Sequence, residues 1–166
     1  ENELIPLLQI LFEKEQIMLI GNDFKSQIKV LAQKNIDVKA ELFDIGIAHY
    51  LLHPDMRHDL SILTENHLQY SIRTLEELTG KGKLRKEIAS LEKEDLSNFY
   101  NQQVDAIWQI HSVFSNEMEK VKVSKLFAEI EMPLTKVLAK MEIQGIHLNT
   151  KMLDDYALIL SKEIEQ

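Results

Sequence analysis

Apolar residues recur along this chain at two spacings, and the changes between them predict the elements. Leu4, Leu7, Leu8, Leu11 and Phe12 fall on one face of a helix within the first sixteen residues. Ile17 to Ile20 is an unbroken apolar run of strand length closed by Gly21, and the helical spacing returns from Phe24 to Leu31. That is a strand, loop and helix unit. Leu42-Phe43 offers a second short strand, Ile45 to Leu52 a helix ended near Pro54, and Ser61 to Leu68 another short helix. Thr74-Leu75-Glu76-Glu77 has the form of a capping box, in which a threonine hydroxyl and a glutamate three residues on satisfy each other's backbone donors. Gly80-Lys81-Gly82-Lys83 breaks the helix so opened.

The longest helical pattern runs from Glu94 to Lys120, with Tyr100, Val104, Ile107, His111 and Phe114 near one face. Three further helices are predicted, on Val123, Leu126, Phe127 and Ile130, then Leu134, Val137, Leu138 and Met141, then Leu153, Tyr156, Ala157 and Leu160. Pro133 suits the first turn of the second, Gly145 can end it, and Asn149 can cap the third. A pattern that opens on a helix with no strand before it, and is still helical at Gln166, reads as a segment of a longer chain.

Composition narrows the classes. With 166 residues, 45% hydrophobic and 28% charged, 5 Gly, 3 Pro and no Cys, the chain reads as one soluble, helix-leaning domain or a domain with an appended piece. The lack of cysteine removes disulfides, zinc-thiolate sites and cysteine nucleophiles, and fits a reducing cytoplasm. No apolar run reaches the ~20 residues a bilayer span needs, and Glu1-Asn2-Glu3 has no basic character. The net charge of −8 makes the isolated chain a poor electrostatic partner for a phosphate backbone.

Candidate chemistry is sparse. His49 and His53 stand at i, i+4 on a helix, with Asp55 and His58 close behind, which would place two imidazoles on one metal. The commoner outcome is a pair of solvated or core-satisfied histidines, and no glutamate lies between them as in the metalloprotease helix. Gly80 to Lys86 puts four cations on a flexible turn, either a phosphate contact or a solvated loop, and matches no Walker loop or dinucleotide fingerprint. No Gly-x-Ser-x-Gly elbow supports a serine nucleophile.

More specific is the order of several blocks. Phe43-Asp44-Ile45-Gly46-Ile47-Ala48-His49-Tyr50-Leu51-Leu52 followed by Met56-Arg57-His58-Asp59-Leu60, then Leu75-Glu76-Glu77-Leu78-Thr79-Gly80-Lys81-Gly82-Lys83, then Ile130-Glu131-Met132-Pro133-Leu134 through Gly145-Ile146-His147-Leu148-Asn149, resemble successive stretches of the bacterial family-A DNA polymerases (DNA polymerase I). The resemblance runs from about Leu7 to the C-terminus. It implies an α/β, helix-rich fold of the ribonuclease-H-like 3′–5′ exonuclease type over residues 1–122, partial because the first strands lie upstream. Residues 123–166 resemble the first helices of the polymerase domain.

The same resemblance implies a degenerate exonuclease. Active members hold two divalent cations on four carboxylates, which activate a water and stabilise the leaving 3′ oxygen. Two of the four belong to a strand upstream of Glu1. The third slot falls in Gly21-Asn22-Asp23-Phe24-Lys25-Ser26-Gln27, where the aspartate position is Gln27. The fourth falls in Phe99-Tyr100-Asn101-Gln102-Gln103-Val104-Asp105, where it is Gln103 and the water-orienting tyrosine is Phe99. A register slipped by one puts Tyr100 and Val104 in those slots, and valine holds no metal either. Neutral amides do not offset two dications. No catalytic residue, bound metal or other cofactor is therefore expected in this segment. Mg²⁺ is expected for the parent polymerase. Arg57, Lys81 and Lys83 match positions of weak nucleic-acid contact.

The implied role is that of a scaffold beside a bacterial, cytoplasmic, nucleoid-associated polymerase of DNA replication and repair. DNA is then reached through the parent, the rest of the chain is the partner, and no membrane is involved. Two alternatives remain open: an active proofreading exonuclease using Asp23 or Asp105 in a shifted site, and a protein-interaction module presenting its apolar helices.

Overall fold

The computed structural model describes residues 4–165; Glu1–Glu3, Gln166 and the Leu84 side chain lie outside that description. Helix α1 (Leu4–Phe12) leads to strand β1 (Met18–Gly21), helix α2 (Phe24–Ala32) and strand β2 (Glu41–Asp44). The strands pair in parallel, with Met18 opposite Glu41 and Gly21 opposite Asp44. A parallel pair needs a crossover, and α2 supplies it. Leu42, Phe43 and Asp44 are all buried, as expected of a strand covered on both faces. Gly21 is required by close approach: a Cβ there would lie 2.7 Å from Cζ of Phe24.

Helix α3 (Ile45–Leu52) follows β2 without a loop, and α4 (Leu60–Leu68) and α5 (Leu75–Thr79) complete the middle of the chain. The capping box at Thr74 and Glu77 forms as predicted. Oγ1 of Thr74 accepts from the Glu77 amide at 3.2 Å, and Oε2 of Glu77 accepts from the Thr74 amide at 2.7 Å. These bonds hold the Glu77 carboxyl below the usual glutamate range.

Helix α6 (Lys93–Lys120) packs against β1, α3 and α4. Its buried stripe is Phe99, Ala106, Ile110, Phe114 and Met118, rotated from the predicted face; Tyr100 and Val104 are exposed, at 51% and 66%. The reason is that a helix touched from several directions carries no single stripe. The Ile110–Phe114 side meets the neighbouring helices, whereas Val104 and Trp108 line a shallow pocket beside Ile20 of β1.

A Schellman motif ends α6. The Val123 amide bonds to Met118 O at 3.0 Å and the Lys122 amide to Glu119 O at 3.2 Å, with Lys122 left-handed at φ 62°. The expected boundary at 122 is thus a tight turn. Beyond it, α7 (Ser124–Leu126) runs through a π-helical turn (Phe127–Glu131) into α8 (Met132–Gln144). The first two of the three predicted helices are therefore one continuous helical body. Pro133 has no N–H and crowds the carbonyl four residues back. The backbone widens there, with the Met132 amide reaching Phe127 O, and continues rather than breaking. Gly145, at φ 67°, ends α8, and the Asn149 side chain caps α9 (Thr150–Ile164), whose described residues are all exposed.

The surface that α8 covers is formed chiefly by α2 and β2, not by the long α6. Met132, Thr135 and Ala139 are buried on that side. One turn further on, Glu142 accepts from Lys25 at 2.8 Å and Lys29 at 2.6 Å, and these two ammonium groups hold its carboxyl down to about 2.

Two expectations follow. A carboxylate whose folded-state pKa lies below its unfolded value stabilises above the ordinary value and loses that contribution as the pH falls. Acidification from about 4.5 towards 2, or Glu142→Gln at neutral pH, should accelerate amide exchange in the last turns of α8 and leave β1 and β2 protected. Replacing Asp44, the buried N-cap of α3, by alanine should lower unfolding stability by about 2–3 kcal/mol in a denaturant titration.

Candidate functional site

The carboxyl ends of the two strands converge on Asp44. Its Oδ2 accepts from the Phe24 amide at 2.7 Å and its Oδ1 from the amides of Gly46 at 2.9 Å and Ile47 at 3.4 Å. One carboxylate thereby satisfies the starts of both α2 and α3. Burial raises its pKa, and these backbone donors oppose the rise. Above it opens a cleft of about 610 Å³ lined by Asn22, Asp23, Lys25, Arg57, His58 and Asp59, among others. Parallel sheets bind ligands outside the carboxyl ends of their strands.

The positions expected to carry exonuclease chemistry are each engaged in contacts of their own. Gln27, on the first turn of α2, donates through Nε2 to Asn22 O at 2.9 Å. Gln103, on α6, donates through Nε2 to Arg73 O at 3.0 Å, while Gln102 Oε1 accepts from the Arg73 amide at 3.5 Å. Two adjacent amides thus staple the strand-like segment before α5 to α6. Phe99 is buried, and its ring meets that of Tyr100 at 5.2 Å, edge to face. Asp23 is spent on capping α2, accepting from the Ser26 amide at 3.3 Å, and Asp105 Oδ2 accepts from Gln109 Nε2 at 2.7 Å.

The expected nucleic-acid positions are dispersed and partly neutralised. Arg57, on the loop between α3 and α4, pairs with Asp59 at 3.2 Å. Lys81 pairs with Glu76 at 3.2 Å, and Lys83 is exposed on a 3₁₀ turn, Gly82–Lys83–Leu84, that follows α5. Lys25, within the cleft, is committed to Glu142.

A cluster of four histidines adjoins the cleft through His58. His49 is fully buried on α3, and around it stand His53, His58 and His67 with ring centroids 5.1, 4.9 and 5.5 Å away; Phe114 stacks on it at 5.4 Å. Its Nδ1 lies 2.7 Å from Nδ1 of His58, one of the two donating. Its Nε2 is buried and has no hydrogen-bond partner among the described residues, an omission that costs about 1–3 kcal/mol. Burial, then the neighbouring imidazoles, push His49 down to about 4. It is neutral at physiological pH and offers a lone pair. The i, i+4 spacing announced His49 and His53; His67 joins them from the last turn of α4, which no local pattern signals.

The family model described as DNA polymerase I, ribonuclease H-like domain, matches residues 3–110. The DNA polymerase I of Borreliella burgdorferi is 28% identical over 153 residues, 92% of this chain and 16% of that protein. That of Bacillus caldotenax is 29% identical over 143 residues, 86% of this chain and 16% of that protein, and that of Treponema pallidum 25% identical over 162 residues, 96% and 16%. This chain therefore spans about 16% of the length of these relatives.

The two rings on α6 should separate in a stability measurement. Phe99→Ala is expected to cost about 3 kcal/mol in a denaturant titration, because it removes a buried ring, and Tyr100→Ala less than about 1 kcal/mol, because half of that ring is exposed.

Proposed function

The chain belongs to the DNA polymerase I ribonuclease H-like domain family, and on that premise we propose that it is the 3′–5′ exonuclease-like part of a bacterial DNA polymerase, catalytically degenerate and kept as a scaffold. Residues 1–122 form the exonuclease-like unit and 123–166 the entry to the polymerase domain. The supporting observation is the engagement of Gln27 and Gln103: their side-chain NH₂ groups donate to the carbonyls of Asn22 and Arg73. Neutral amides bound in this way supply none of the negative charge that a pair of hard dications requires, so the residues present do not fit a two-cation exonuclease centre. Phe99, an apolar ring in the water-orienting position, has no hydroxyl to hold a nucleophile.

A scaffold role gives those residues a different task. Gln103 joins the Arg73 backbone to α6, and Glu142 joins α8 to α2, so the polymerase-entry helix rests on a unit stiffened from within. Arg57, Lys81 and Lys83 give weak single-strand contact. Strong DNA binding, and the Mg²⁺ that polymerisation uses, belong to the remainder of the parent protein, which works in the bacterial cytoplasm. No helix among the described residues is long and apolar enough to cross a membrane.

The test is a 3′-exonuclease assay on single-stranded DNA with Mg²⁺ or Mn²⁺, using the full-length parent protein beside its Gln27→Asp/Gln103→Asp double variant. The wild type should be inert. Degradation by the wild type would favour the shifted-carboxylate alternative, through Asp23 or Asp105, and overturn the scaffold reading. Activity regained by the double variant would place the lost ligands at the two glutamines.

A further inference from the structure

The histidine cluster is separate from the exonuclease positions, and its chemistry is that of a metal centre. One ring nitrogen from each of His49, His53 and His67 lies within 4.8 Å of the others. Among the described residues this is the one set of three or more His, Asp or Glu ligand atoms so gathered. His49 sits at the bottom of the set, fully buried, with Nε2 unpartnered and Nδ1 engaged by His58. A metal-bound imidazole has this arrangement: one nitrogen binds the ion and the other donates its proton to a neighbour that fixes the ring and its tautomer.

We propose that His49, His53 and His67 form a binding site for a zinc-class divalent ion, with His58 as the outer partner that orients His49. In that arrangement His49 Nδ1–H donates to His58 Nδ1, and the Nε2 lone pair is left for the ion. A donor set of three neutral imidazoles without a carboxylate suits Zn²⁺, Co²⁺, Ni²⁺ or Cu²⁺ and disfavours Mg²⁺ and Ca²⁺, which require oxygen. Tetrahedral ligation brings nitrogens to about 3.3 Å from one another. His53 and His67 are half-buried on the outer side of the cluster, so modest ring rotation closes the remaining gap, and a water completes the fourth position.

The consequence is a clamp. His49 lies on α3, His53 at its C-cap and His67 in the last turn of α4, so the ion would join the two helices and anchor the loop that carries Arg57 at its His53 end. Metal occupancy then governs the order of the loop that forms one wall of the cleft above Asp44.

The experiment uses the whole 166-residue chain, stripped of metal with a chelator and titrated with Zn²⁺ by calorimetry and by thermal melting. One equivalent should bind per chain, and Tm should rise with Zn²⁺ but not with Mg²⁺ at the same concentration. His53→Gln and His67→Gln, both at half-buried positions, should leave the metal-free Tm nearly unchanged and weaken Zn²⁺ binding by more than about 10-fold; His58→Phe should weaken it by about 10-fold through the lost orienting bond. Co²⁺ should develop visible d–d absorption in the wild type and not in the His53→Gln/His67→Gln double variant. Absence of stoichiometric Zn²⁺ binding, binding unchanged in both single variants, or an equal Tm rise with Mg²⁺ would each overturn the site. None of these readouts depends on exonuclease activity.

Discussion

A single buried carboxylate sets the frame. Asp44 ends β2, and its two oxygens take the first amides of α2 and of α3, so the sheet and both helices meet at one charge. Helix starts carry orphan donors that a buried setting cannot leave unpaired. Because α2 and α3 are fixed relative to β2, the surfaces they present are fixed as well. The first carries the lysines that hold Glu142, and the second carries His49.

Much of this was legible in the residues. The two strands, the α2 crossover, the capping box at Thr74 and Glu77 and the Asn149 cap follow from local chemistry: apolar run length, a hydroxyl with a glutamate three residues on, an amide before a helical pattern. What escaped depends on distant parts of the chain. The buried stripe of α6 is chosen by the elements that touch it, so Phe99 and Met118 turn inward while Tyr100 and Val104 do not. His67 meets His49 only because α3 and α4 fold back on α6. Gln103 reads as a lost ligand in the sequence, and the structure adds that its amide is occupied by the Arg73 carbonyl, 30 residues away.

The proposed scaffold and metal-clamp roles would place different demands on the same chain, and these would fall on different residues of it. The amide of Gln27 serves the backbone at the cleft and that of Gln103 the segment before α5, whereas the imidazoles lie between α3, α4 and Phe114. Most apolar residues on α1 and α9, such as Leu7, Ile10, Leu153 and Tyr156, are exposed, and of these two helices Ile5 and Phe12 of α1 alone pack against the core among the described residues. Stability of the described unit is therefore concentrated between β1 and α8.

The π turn gives that arrangement a particular sensitivity to sequence length. It accommodates one residue more than an α-helical turn would between Phe127 and Glu131, and so absorbs that residue without turning the helix that follows. Loss of one residue there would restore regular winding with α8 kept in phase, whereas the same loss in the α-helical winding just after it, before Thr135, would rotate the rest of α8 by about 100° about its axis. Thr135 and Ala139 would leave the apolar surface of α2, and Glu142 would face away from Lys25 and Lys29. Across descendants of this chain, a single-residue deletion between 127 and 131 is then easier to accommodate than one in the α-helical winding that follows, which breaks the contact between α8 and α2 without altering any residue that makes it.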